Sequence, residues 1–92
     1  MHDKVRFELK ITREFIEGLA TVCSERLLGQ IRGILETLTI TTEIGSTHVR
    51  TCLTEQYGPG IRKIPVSTFV IVFRIIGSSV EVLALVYGPT IR

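Results

Sequence analysis

Tryptophan, methionine, cysteine and histidine are scarce in this chain. Its 92 residues include no tryptophan, one methionine, two cysteines and two histidines. Cys23 and Cys52 match no metal-ligand spacing, so both are expected to be buried free thiols, the alternative being a disulfide between them that nothing in the sequence supports. His2 falls in a terminal tail and His48 in an irregular stretch, and the sequence has neither an H-x-x-x-H nor an HExxH pattern. It also lacks a Walker loop and a nucleophile elbow. Carboxylates thin out toward the C-terminus, where only Glu55 and Glu81 follow Glu43. Acid–base chemistry on paired carboxylates therefore has little to draw on there. No cofactor and no metal are expected. The N-terminus, Met1 to Arg6, is polar and charged, so no signal peptide is expected. The longest uncharged apolar run, Val66 to Phe73, is too short to cross a bilayer. A cytosolic protein without a membrane partner is expected.

What the chain does have is apolar material and patterned charge. Hydrophobic residues make up 45% of it, enough for one core, and its length predicts a single domain over residues 1–92. The net charge of +2 is too small to argue for nucleic acid by itself, but it is unevenly spread. Up to Glu43 there are six basic and seven acidic residues; from Ile44 onward there are five and two. An anionic partner would meet the C-terminal half.

Val5, Phe7, Leu9 and Ile11 alternate with charged or polar residues, which predicts a half-buried strand. Thr12 then reads as an N-cap. Phe15, Ile16, Leu19, Ala20, Val22 and Cys23 recur at helical spacing. Ser24 caps a second helix whose apolar stripe is Leu27, Leu28, Ile31, Ile34, Leu35 and Leu38. Gly29 and Gly33 sit on that helix either to admit a neighbouring backbone or simply as surface glycines. Thr39 to Gly60 reads as irregular, with Val49 to Leu53 a brief strand or turn. Ile61 to Val66, Phe69 to Ile76 and Val80 to Tyr87 read as strands of a meander, with Gly77-Ser78-Ser79 a tight hairpin connection. The fold class is α+β: an N-terminal strand, a helical hairpin, then a mostly antiparallel sheet of three or more strands.

The Phe69 strand is apolar on both faces, so it belongs mid-sheet. Two helices cover one side only. On the other, Val70, Val72, Arg74 and Ile76 form an apolar floor, expected to be covered by a partner chain or a second copy; the alternative is that the Thr39–Gly60 segment folds across it. In the returning strand Val80, Val82, Ala84 and Val86 are expected to oppose Glu81, Leu83, Leu85 and Tyr87. The candidate binding residues are Arg62, Lys63, Val70, Val72, Arg74 and Tyr87. Arg62, Arg74 and Tyr87 are the catalytic candidates, since Arg grips phosphate and Tyr can stack on a base or pass a proton. The alternative is solvated strand charges and a half-buried Tyr.

The stretch Gly58-Pro59-Gly60-Ile61-Arg62-Lys63-Ile64-Pro65-Val66, then Phe69 to Ile75, then Val80 to Gly88, resembles the C-terminal half of the RelE/ParE superfamily of bacterial toxins. The opening strand and helical hairpin match that family's layout too, with Ile44-Gly45-Ser46 at the place of its Gly-Arg-Pro segment. The resemblance implies the toxin of a toxin–antitoxin (plasmid stabilisation) module, which inhibits growth until a cognate antitoxin wraps it. RelE-like members cleave messenger RNA at the ribosome, and ParE-like members poison DNA gyrase. This chain departs from both patterns. Tyr87 stands where the family has His before its final Gly, and Val70 where nuclease members often carry Arg. The thin set of cations is a poor match for stabilising the charge of phosphodiester cleavage. The resemblance therefore leans to the ParE-like branch, with gyrase as target and no enzyme activity. A ribosome-dependent endoribonuclease is the alternative, and an inactive binding module that docks an antitoxin or dimerises is a third.

Overall fold

The computed structural model describes residues 7–41, 45–47, 49 and 51–90. Strand β1 (Glu8–Ile11) leads into helix α1 (Arg13–Leu19) and helix α2 (Glu25–Leu38). A short helix α3 (Thr51–Tyr57) precedes β2 (Ile61–Val66), β3 (Phe69–Ile76) and β4 (Ser79–Tyr87), and one 3-10 turn follows at Gly88–Thr90. The sheet order is β1-β4-β3-β2. The last three strands form an antiparallel meander, while β1 joins β4 in parallel. The expected α+β class and the central place of β3 both hold. Val5, proposed to begin the first strand, lies outside the described residues, as do Ile44, His48 and Arg50.

The local reasons for the helical hairpin are those the capping residues suggest. The backbone N–H of Phe15 donates to Thr12 Oγ1 at 3.2 Å, and that of Leu27 donates to Ser24 Oγ at 3.2 Å. Each satisfies a donor that a helix start leaves open. Phe15, Ile31 and Leu38 point into the core, joined by Val22 from the connection between the helices. The sheet answers with Ile64, Val66, Ile71, Phe73, Val80, Val82 and Leu85. Cys23 is exposed and Cys52 half-buried, so the expectation of two buried cysteines fails. Cys23 ends the connection before Ser24, with its side chain turned away from the stripe.

Strand β4 departs from simple alternation. Val72 pairs with Ala84 and Phe73 with Val82, so Leu83 is an extra residue, a β-bulge. Val80 and Val82 face the helices. After the bulge it is Leu85 that faces them, while Leu83, Ala84 and Val86 face the other way. The expected grouping of Val82 with Ala84 and Val86 is thus reversed beyond Leu83. Thr12 fixes this point. Its N–H donates to Val82 O at 3.2 Å, and its hydroxyl donates to Leu83 O at 2.7 Å. One side chain caps α1 and satisfies the bulged carbonyl. α1 then runs across β4 so closely that a Cβ on Gly18 would meet Leu85 O at 2.8 Å.

Two stability changes follow. Thr12→Val should cost about 2 kcal/mol, from the lost cap and the unsatisfied carbonyl, read as a lower denaturant midpoint at unchanged slope. Gly18→Ala should also destabilise, by about 1–3 kcal/mol, because the close approach outweighs the gain in helix propensity. The same substitution at Gly33, where a Cβ would meet nothing within 4 Å, should stabilise by up to about 1 kcal/mol.

Candidate functional site

The residues singled out in the sequence lie on β2, β3 and β4, and the register decides which of them meet. Antiparallel partners share a face. Lys63 pairs with Val72, Pro65 with Val70, Ile61 with Arg74, and Arg74 with Glu81. Lys63, Val70, Val72 and Arg74 therefore share the face away from α1 and α2. Arg62 pairs with Phe73, and Tyr87 with Phe69, which puts both on the helical side. The cations and the tyrosine do not form one cluster. Arg74 and Tyr87 are five residues apart in the frame of β3, about 17 Å, and on opposite faces.

The floor expected to await a partner is largely covered by the chain itself. Val72 is 0% exposed, and Ile61, Leu83 and Ala84 are buried with it around Leu53 of α3. Val49, Cys52, Tyr57, Val70 and Val86 close the rim. Of the occupants weighed from the sequence, the one present is the chain's own α3, a helix over Thr51–Tyr57 where a brief strand or turn was expected at Val49 to Leu53. Val72 thus serves as core, and Val70 is half-buried at the margin. Val49, Leu53 and Tyr57 recur every four residues. That helical spacing was the available signal, masked by the surrounding Thr, Ser and Gly.

α3 is held at its C-terminal end by a polar tie. The hydroxyl of Tyr57 donates to Glu14 Oε2 on α1, and Gln56 Nε2 donates to the Tyr57 oxygen at 3.2 Å. Burial, the hydrogen bond to Glu14 and that carboxylate's charge all favour the neutral phenol. They hold its pKa well above the ordinary 10.0.

Arg74 is not an isolated cation. Its Nε and Nη2 donate to Glu81 Oε1 at 3.1 and 2.6 Å across the β3–β4 pair. Both side chains are about one-third exposed, so the pair fixes the guanidinium near the Gly77 hairpin without deep burial. Lys63 bonds through its backbone in both directions to Ser46, at 2.9 Å each, which closes part of the outer edge of β2. Gly45 beside it lies against the ring of Phe73 and near the Arg62 Cβ, a position with no room for a side chain. Tyr87 is 48% exposed, its ring in an edge-on contact with Phe69 at 5.5 Å. Ile76 is also exposed, beyond the covered floor. Among the described residues, no three His, Cys, Asp or Glu side chains come together as metal ligands. No helix among them is long and apolar enough to cross a membrane.

This arrangement, a parallel β1–β4 pairing beside a β2–β3–β4 meander with a helical hairpin laid over it, is shared with solved structures. A chain of the RelBE2 toxin–antitoxin complex from Mycobacterium tuberculosis superposes with a TM-score of 0.71, covering 90% of this chain and 99% of its own at 16% identity. The chain has the RelE/ParE toxin fold. A chain of the chromosomal ParDE toxin–antitoxin system from P. aeruginosa matches with a TM-score of 0.56 and 20% identity, over 89% of this chain and 96% of that one. Neither a protein-family model nor a curated protein sequence matches.

The tyrosine tie carries a pH signature. A folded-state pKa raised above the unfolded one gives stability that is intact below about pH 10 and declines as pH rises beyond it. Ultraviolet titration should show one tyrosine ionising late. In Tyr57→Phe that late transition should vanish, and the alkaline loss of stability should become shallower.

Proposed function

We propose that this protein is the toxin of a toxin–antitoxin module, held inactive by a cognate antitoxin protein. The observation that supports this best is the fold, which is that of chains in the RelBE2 and ParDE complexes over about nine-tenths of the chain's length. The C-terminal strands bear the motifs by which the sequence resembles the same superfamily.

For the target, the proposal favours DNA gyrase over messenger RNA. Phosphodiester cleavage calls for cations and a proton carrier converging on one phosphate. Here Arg74 is engaged by Glu81, Arg62 faces the helical side, and Tyr87 lies about 17 Å from Arg74 along the strand. Such spacing fits contacts spread over a macromolecular surface better than a single reaction centre. Arg62, Lys63, Arg74 and Tyr87 would then act as separate contact points, with Val70 at the edge of the α3 cover.

A nuclease remains the second reading, because Arg62, Arg74 and Tyr87 are the types such a centre uses and the fold is common to both branches. Induced expression should arrest growth, and purified protein should lower gyrase supercoiling while translated messenger stays intact in primer extension. Site-specific messenger cleavage that disappears in the Arg74→Ala, Tyr87→Phe double variant would move the assignment to the ribonuclease. Normal growth with folded protein would leave only a docking role.

A further inference from the structure

The outer face of α2 carries a pattern the toxin reading does not use. Glu25, Leu28, Gly29 and Arg32 line one shallow hollow of about 260 Å³. They lie at i, i+3, i+4 and i+7, one stripe of a helix. Leu28 is 37% exposed, and among the described residues Arg32 pairs with Glu36 at 3.8 Å on the same exposed face.

Gly29 is the anomaly. A mid-helix glycine weakens a helix relative to alanine. Gly18 and Gly45 have a local reason to be glycine, since a side chain there would strike Leu85 or Phe73. At Gly29 and Gly33 a Cβ would meet nothing within 4 Å. Nothing within the described chain needs either residue to be bare.

We propose that α2 is a self-association face, on which a second copy of this chain packs antiparallel across Gly29. The stripe reads acid, large, small, base, and it is complementary to its own reverse. Under a two-fold axis between positions 28 and 29, Glu25 of each copy meets Arg32 of the other, and each Leu28 seats over the opposite Gly29. A parallel arrangement would set like charges together, so the charge pattern selects the isologous antiparallel pair. A single helix crossing buries less than the ~1,200 Å² of a standard interface, so the dimer is weak and dependent on concentration and salt. This rests on α2 alone and stands whether or not the protein is a toxin.

Sedimentation equilibrium of the full chain at low salt tests it. A monomer–dimer equilibrium is expected. Gly29→Leu should weaken it at least tenfold while leaving the circular dichroism spectrum of dilute protein intact. Glu25→Arg and Arg32→Glu should each be monomeric alone, yet form a heterodimer when the two are mixed, because every charged contact is then restored. A chain monomeric throughout the concentration range overturns the proposal, whether the α2 face is then bare or taken by a different protein. A dimer that survives Gly29→Leu, or single variants that do not associate on mixing, overturns it as well.

Discussion

The structure turns on one surplus residue in its last strand. Leu83 has no partner across the β3–β4 ladder, and its insertion reverses which side every later β4 residue faces. A strand alternating without interruption would feed one core. With the bulge, β4 supplies Val80, Val82 and Leu85 to the layer under α1 and α2, and Leu83, Ala84 and Val86 to the layer under α3. Thr12 stabilises the irregularity by satisfying Leu83 O, and the same hydroxyl starts α1. The direction of α1, its contact with Leu85 through Gly18 and the end of the parallel β1–β4 pairing therefore share one anchor.

Much of the fold was legible in the sequence because the signals were local. Thr12 and Ser24 announce helix starts through their own side-chain chemistry, and the twofold alternation of β3 survives because that strand carries no bulge. The parts that were not legible depend on distant partners. No property of Leu83 itself marks it as surplus, since the bulge exists only relative to β3. α3 has just two turns, too few to hold together without the sheet beneath Leu53. Cys23 looked like a core residue because it follows Val22 in an apolar rhythm, but α1 ends before it and the connection turns it outward.

The candidate site shows the same division. The residue types Arg62, Lys63, Arg74 and Tyr87 were readable, whereas their separation needed the register. Adjacent residues on β2 point to opposite faces, so Arg62 and Lys63 cannot act together as the sequence invited. Arg74 was identified without its counter-ion, because Glu81 lies seven positions away and meets it only through the hairpin. A fold common to RelBE2 and ParDE chains thus presents cations here as dispersed points, and α3 occupies the sheet face that a protein partner would otherwise find bare.

The parallel pairing of β1 has a consequence for how the protein is made. Glu8 meets Ser79 and Ile11 meets Val82, contacts that span some seventy residues. During synthesis the first strand and the helical hairpin emerge long before the strand that receives them. Their apolar faces must wait, exposed, until residue 82 has left the ribosome. A nascent chain of this design cannot be a finished molecule, and an interrupted translation product lacking β4 would present α1 without the surface on which it rests. Completion of the fold is coupled to the synthesis of β4.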